Sequence, residues 1–155
     1  MSAHLQYCIC LLLIASNMAF AQIATKNAPI SPDKIVAEAT NGVLKAQKGK
    51  FYEPSCNEQV DYDTQIVDLN HDGSPEVFTN VYGSCLGGNT GVQLNLYIKN
   101  GLGKWVPQFG FPGTYTLLST KNKGFPDIEI GGPGNCFPIW RWNGSEYYLY
   151  KKCNR

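Results

Sequence analysis

The chain repeats itself from about residue 64 onward, and this repeat restricts the fold more than any other feature of the sequence. A shift of 51 residues places Ile66-Val67 on Leu117-Leu118 and superimposes glycine on glycine, proline on proline and cysteine on cysteine. The superimposed pairs are Gly73 with Gly124, Pro75 with Pro126 and Cys85 with Cys136. A sequence period of this length marks one supersecondary unit, so two units with the same order of elements are expected.

Each unit reads as four short strands. Asn100-Gly101 and Asn143-Gly144 lie between β-rich runs, which is a strong hairpin signal. The predicted order is strand, turn, strand, Gly/Cys loop, strand, Asn-Gly turn, strand, over about 64–110 in unit one and about 114–153 in unit two. Because a propeller needs about four or more blades, two units are expected to pack as a sandwich or a continuous antiparallel sheet.

A helix is expected before the repeat. Ser31 is a good N-cap, Pro32 suits the first helical position, and Asp33 favours the first turn. Apolar residues then recur at helical spacing until Gly49, which predicts a helix over about 32–48. The expected fold class is mainly β (α+β), with this N-terminal helix packed on an antiparallel β structure built from two pseudo-repeated four-strand units.

The first turn of unit one carries a regular set of oxygen-bearing side chains. Asp68, Asn70, Asp72 and Glu76 occupy positions 1, 3, 5 and 9 of a loop with glycine at position 6. Ca²⁺ prefers six to eight oxygen ligands, which alternate residues of a tight loop supply. The predicted ligands are these four side chains and the carbonyl of Ser74. The alternative is an Asx-rich turn whose side chains only cap backbone amides.

The residues beside this loop favour a particular kind of calcium site. Residues 65–67 and 77–82 are β-rich, and position 12 is Thr79, whereas an EF-hand loop joins two helices and ends in a carboxylate. The pattern strand, D-x-N-x-D-G-x-x-E, strand resembles the calcium loops of FG-GAP and VCBS-type repeats, which occur in β-propeller blades and many exported bacterial proteins. The resemblance implies a bound calcium ion and no particular activity.

The second unit offers an internal comparison. Ser119, Lys121 and Lys123 stand where the first unit has its first three ligands. A lysine ammonium cannot coordinate a cation, so the second turn is expected to form without metal. If both turns share one backbone geometry, the acids of the first are not needed to make the turn, which favours metal binding over capping.

Residues 1–21 read as a cleaved secretory signal. An apolar run centred on Cys8-Ile14 is followed by Ala19-Phe20-Ala21, which predicts cleavage before Gln22 and a single mature domain over 22–155. The run is too short to span a bilayer, so no integral membrane anchor is expected. These features predict a periplasmic or secreted protein.

Four cysteines follow the signal, which predicts two disulfides in an exported chain. Three connectivities are open from the sequence alone. Cys85 and Cys136 occupy equivalent loops of the two units, which favours pairing Cys85 with Cys136 and Cys56 with Cys153.

The charge and residue content disfavour several functions. The chain has 13 Lys+Arg and 12 Asp+Glu without a basic stripe, so nucleic acid is not an expected partner. His71 is the only histidine after the signal and lies in the acidic loop, so no Ser-His-Asp arrangement is available. Asp127 and Glu129 share one strand face and are expected to be solvated. A binding protein is therefore favoured over an enzyme.

Two surfaces are candidates for partner binding. Asn89 and Asn135 lie in the two Gly-rich loops, which are expected at the same end of the domain. Trp140 and Trp142 share a strand face that belongs either to the core or to an exposed aromatic surface.

The sequence thus predicts an exported, calcium-binding, disulfide-stapled binding module for a protein partner or glycan. Its size and compartment suggest a periplasmic inhibitor or immunity protein acting on a cell-wall hydrolase, by analogy only. The alternative is a carboxylate-type hydrolase or a glycan-binding module.

Overall fold

The computed structural model describes residues 29–132 and 136–153, which form nine strands in two antiparallel sheets. Sheet A has the order β1-β2-β3-β4-β5 and sheet B the order β6-β7-β8-β9. The bounds are β1 Gly49–Glu53, β2 Glu58–Val67, β3 Glu76–Tyr82, β4 Val92–Lys99, β5 Trp105–Pro112, β6 Thr114–Asn122, β7 Phe125–Gly131, β8 Ile139–Trp142 and β9 Tyr147–Lys151. The mainly β, antiparallel fold class is confirmed.

The two sheets pack face to face over an apolar core. Sheet A contributes Phe78, Leu94 and Leu96, each at most 1% exposed, and sheet B contributes Ile128 and Trp142 among others. Antiparallel sheets that pack face to face bury alternate residues of each strand in this way. The strand order within β2–β5 matches that within β6–β9, whereas β1 is an additional edge strand that the sequence pattern did not predict.

Helix α1, Pro32–Ala39, covers the other face of sheet A through Val36 and Ala39. Ser31 caps it as predicted, because its side chain accepts a hydrogen bond from the Lys34 amide. The predicted end near residue 48 is wrong. The chain leaves the helix at Thr40, and Asn41 and Gly42 both have positive φ, a conformation that terminates helices.

Two further short helical segments lie between β3 and β4: α2, Ser84–Gly87, and a 3₁₀ turn, Gly88–Thr90. None of the helices in the described residues is long and apolar enough to cross a membrane. The predicted signal segment, residues 1–21, lies outside the residues that the structure describes.

The cysteines pair within sheets, so the predicted connectivity is wrong. Cys56 bonds Cys85, and Cys136 bonds Cys153. In an antiparallel meander the start of one strand lies beside the end of its neighbour. Cys56 precedes β2 and Cys85 follows β3, so this bond joins two neighbouring strand ends in sheet A. The second bond does the same for β8 and β9 in sheet B. Both are typical of proteins in oxidising compartments.

Peptide mapping of the non-reduced protein checks this pairing. Digestion is expected to release one peptide pair linking Cys56 to Cys85 and another linking Cys136 to Cys153, with no free thiol among these four residues. A fragment joining Cys85 to Cys136 would contradict the structure and restore the pairing expected from the repeat.

Candidate metal centre

The acidic loop lies at one end of the sandwich. It joins β2 to β3, and the β4–β5, β6–β7 and β8–β9 turns lie at the same end because all strands run antiparallel. The loop also contacts sheet B. A Cβ placed on Gly124 would lie 3.6 Å from Cβ of Asn70. The loop is therefore supported by the turns around it.

Asp68 shapes the backbone of this loop. Its Oδ1 accepts a hydrogen bond from the Asp72 amide at 3.1 Å, and its Oδ2 accepts one from the Gly73 amide at 2.9 Å. The tight turn that results needs positive φ at His71 (61°) and at Gly73 (87°). Glycine adopts this conformation at little cost, which explains its place at loop position 6.

Asn70 and Asp72 complete the turn. The Asn70 side chain donates to Oδ2 of Asp72 at 2.8 Å and accepts from the Asp72 amide at 3.1 Å. Oδ1 of Asp72 accepts the Ser74 amide at 2.7 Å. These hydrogen bonds hold the pKa of Asp72 below its usual range. These are the capping contacts of an Asx-rich turn. They involve three of the predicted calcium ligands, Asp68, Asn70 and Asp72, on one loop.

Glu76 differs from the other acids because its side chain is buried. The residue is 2% exposed, and its Oε2 accepts the Leu69 amide at 2.7 Å. Burial, with smaller contributions from Asp72 and Asp68, raises the pKa of Glu76 to about 7. In the part of the chain that the structure describes, Glu76 makes no ion pair. A buried carboxylate without a cation is costly, and a bound metal ion would remove that cost.

The carboxylates are not yet gathered into a closed shell. Across residues 29–132 and 136–153, the only group of three His, Cys, Asp or Glu side chains with ligand atoms within 4.8 Å of one another is Cys56, Glu58 and Cys85. Both cysteines are in a disulfide and offer no thiolate, so this group is not a metal site. Calcium bonds of about 2.3–2.6 Å require the acids of the loop to move closer, and the exposed Asp72 carboxylate would have to exchange its hydrogen bonds to Asn70 and Ser74 for the ion.

A solvent-open cleft of about 360 Å³ lies in front of the loop. Asn70, Asp72 and Glu76 line one side, and the glycines of the β4–β5 and β8–β9 turns line the other. Both Asn-Gly signals do mark hairpins. Their asparagines cap turns of four or five residues. The Asn100 side chain accepts the amides of Leu102 and Lys104, and the Asn143 side chain accepts those of Ser145 and Glu146.

The second unit does not reproduce this loop, so the comparison drawn from the repeat fails. Strand β6 continues to Asn122, which pairs directly with Phe125 in β7. Only Lys123 and Gly124 form the turn, both with positive φ. The longer acidic loop and this two-residue turn have different backbones, and metal-free formation of the second says nothing about the first.

The structure describes only one of the two asparagines predicted to bind a partner. Asn89 is exposed in the 3₁₀ turn, whereas Asn135 lies outside the described residues. Gly132, at the start of the second loop, does lie beside the first loop, because a Cβ on Gly132 would lie 2.6 Å from Cγ2 of Thr90.

The tryptophan face belongs to the core. Trp142 is 8% exposed and packs on Phe125 and Tyr147, and Trp140 packs on Phe109. The exposed aromatic surface considered from the sequence is therefore not formed by these residues. Of the two interpretations of this strand face, a core face and an exposed surface, the structure supports the core face.

The sequence reading missed the role of Asp127. This residue is 1% exposed rather than solvated. Arg141 donates to both of its carboxylate oxygens, at 2.8 and 2.6 Å, and Thr120 donates to Oδ2 at 2.6 Å. Arg141 also stacks over the Tyr150 ring at 3.5 Å. Asp127 and Arg141 are distant in sequence, and only the β7–β8 pairing brings them together.

Stability should depend on pH through this pair. The Arg141 hydrogen bonds hold the pKa of Asp127 below its usual range. A depressed carboxyl pKa stabilises the fold above the unfolded value of about 3.9, and that contribution is lost as pH falls through the folded value. Asp127→Asn should therefore destabilise the protein at pH 7, and the difference from wild type should shrink below about pH 4. A difference that stays constant between pH 7 and pH 3 in urea melts would contradict this assignment.

No protein-family model, curated protein or solved structure matches the chain.

Proposed function

We propose that the chain is a small exported binding module whose loop 68–76 binds one Ca²⁺. Its two disulfides link neighbouring strand ends within each sheet. The proposed ligands are the side chains of Asp68, Asn70, Asp72 and Glu76 and the carbonyl of Ser74. The ion would offset the repulsion among three carboxylates in one loop and fix the entrance of the adjacent cleft. The likeness of this loop to FG-GAP and VCBS-type calcium loops supports the same assignment.

Glu76 is the observation that carries the proposal. It is buried beside two further acids and makes no ion pair among the described residues. The Asp68 and Asp72 side chains cap three amides of the loop, and the only amide bonded to the Glu76 carboxylate among the described residues is that of Leu69. A divalent cation gives Glu76 the partner that the protein does not supply.

The two sheets also support the repeat. Strands β2–β5 and β6–β9 each form a meander of four with the same strand order. We infer that the meanders are two copies of one unit, of which only the first kept a metal loop. The proposed partner is a protein or a glycan in the periplasm or outside the cell, with a cell-wall hydrolase as the leading protein class.

Calorimetric titration of the disulfide-bonded protein tests the metal proposal. Calcium is expected to bind at one site per chain with a dissociation constant on the order of 10⁻⁴ to 10⁻³ M, the range of extracellular sites. Glu76→Gln keeps the size of the side chain and should remove most of the binding. No binding heat at about 10 mM calcium would reduce the loop to an Asx-rich turn.

A second experiment separates a binding module from a carboxylate-type hydrolase. The purified protein is incubated with peptidoglycan, and soluble fragments and bound protein are both measured. Retention without release of fragments supports a binding module. Release of fragments that is lost in a carboxylate variant identifies a hydrolase.

A further inference from the structure

Helix α1 is short, and it leaves part of the outer face of sheet A uncovered. A pocket of about 200 Å³ opens there. It lies near the end of β3 that leads to α2, whereas the acidic loop precedes the start of β3. The pocket and the candidate calcium site are therefore separate.

The walls of this pocket are apolar and are held by a disulfide. Val43 and Leu44 follow the helix, Phe51 comes from β1, and Leu86 comes from α2. Val43 is 55% exposed although its neighbour Leu44 is buried, so it offers apolar surface to a ligand. The Cys56–Cys85 bond joins the β1–β2 hairpin to α2, which fixes the distance between two of these walls.

The floor of the pocket is polar and ordered. Thr79 is 1% exposed, and its hydroxyl accepts a hydrogen bond from Nδ2 of Asn95 at 3.0 Å. Burial raises the pKa of the Tyr97 hydroxyl, and the Thr79 side chain partly opposes that rise. Among the described residues, Asn95 uses its Nδ2 for the bond to Thr79, and its Oδ1 accepts no hydrogen bond from a protein group. The floor thus presents one acceptor, from Asn95, beside one hydroxyl donor, from Tyr97.

An amide group matches this pair because it offers an N–H donor and a carbonyl acceptor together. Glu53 at the rim accepts hydrogen bonds from Ser55, which hold the pKa of Glu53 below its usual range. A permanent negative charge there disfavours anionic ligands. The pocket therefore fits a neutral molecule that joins a secondary amide to a small apolar group.

We propose that this pocket binds an N-acetyl group of an amino sugar, with the methyl group against Leu86 and Phe51 and the amide on Asn95 and Tyr97. The inference concerns the ligand of the binding module but does not depend on calcium. A single sugar in a pocket of this size should bind with a dissociation constant on the order of 1 mM.

Titration of ¹⁵N-labelled, disulfide-bonded protein with N-acetylglucosamine tests the proposal. The backbone and side-chain amide resonances of Asn95, and the backbone resonances of Thr79 and Tyr97, should shift in a saturable way. Glucose, which has a hydroxyl in place of the acetamido group, should not shift them. Equal shifts with both sugars, or none at about 50 mM N-acetylglucosamine, would overturn the proposal. Repeating the titration in chelator separates this result from the calcium site, since binding should be unchanged.

Variants locate the site. Thr79→Val keeps the side-chain size and removes the hydroxyl that accepts the hydrogen bond from Asn95, so it should weaken binding about fivefold, as expected for one lost hydrogen bond. Leu86→Trp should fill the pocket and abolish binding. Tyr82→Phe, on the opposite face of the same strand as Thr79, should bind like wild type. Thermal melts confirm that each variant is folded, and unchanged affinity in folded Thr79→Val and Leu86→Trp would contradict the assignment.

Discussion

Replacing Trp142 with alanine is expected to lower the free energy of unfolding by about 3–5 kcal/mol, the usual cost of removing a large buried aromatic side chain. Trp142 is 8% exposed and packs on Phe125 and Tyr147, with ring centroids 4.6 and 5.4 Å away. The cavity left behind would be surrounded by aromatic rings that cannot easily collapse into it. Urea unfolding followed by far-UV circular dichroism measures the change.

Tyr148→Ala is the matched control for this variant. Tyr148 lies on the neighbouring strand with 40% of its surface exposed, and its replacement should change the free energy of unfolding by less than about 1 kcal/mol. If Trp142→Ala were as mild as this control, the tryptophan would belong to an exposed surface rather than the core. The experiment therefore distinguishes the two interpretations that the sequence left open.

Calcium is expected to stabilise the fold by about 2.7 kcal/mol at a free concentration a hundredfold above its dissociation constant. The physical reason is that only the folded loop holds the three carboxylates on one turn, so the ion binds the native state in preference to the unfolded chain. Thermal melts with calcium and with chelator measure the shift. Because such sites bind weakly, the calcium sample should contain about 10 mM calcium or more.

Two variants show whether the stabilisation comes from this loop. Asp72→Ala should abolish the calcium-induced shift. Lys123→Ala should keep the calcium-induced shift, because Lys123 lies outside the acidic loop. Its side chain packs beside Gly144 in the neighbouring turn, with Nζ 2.9 Å from a Cβ placed on that glycine. A shift that survives in Asp72→Ala would place the ion elsewhere, and identical melts with calcium and chelator would contradict the calcium proposal itself.

Much of the local structure could be predicted from the sequence because it depends on short-range chemistry. The Ser31 cap, the two asparagine turns and the strands beside the acidic loop all follow from residues within a few positions of one another. The spacing of Asp68, Asn70 and Asp72 likewise anticipated the turn that they form. The helix was predicted too long because its apolar spacing continues past Thr40, whereas the positive φ of Asn41 ends it.

The sequence alone determined a β-rich chain with a capped helix, an acidic loop and an even number of cysteines. The tertiary structure decided which distant residues meet. Cys56 pairs with Cys85, Arg141 covers Asp127, and the tryptophans turn inward because strand pairing and the packing of two sheets set those contacts. The burial of Glu76 was likewise decided by the tertiary structure. Its position in the loop was readable, but the lack of a cationic partner among the described residues depends on every element packed around it, which no local pattern encodes.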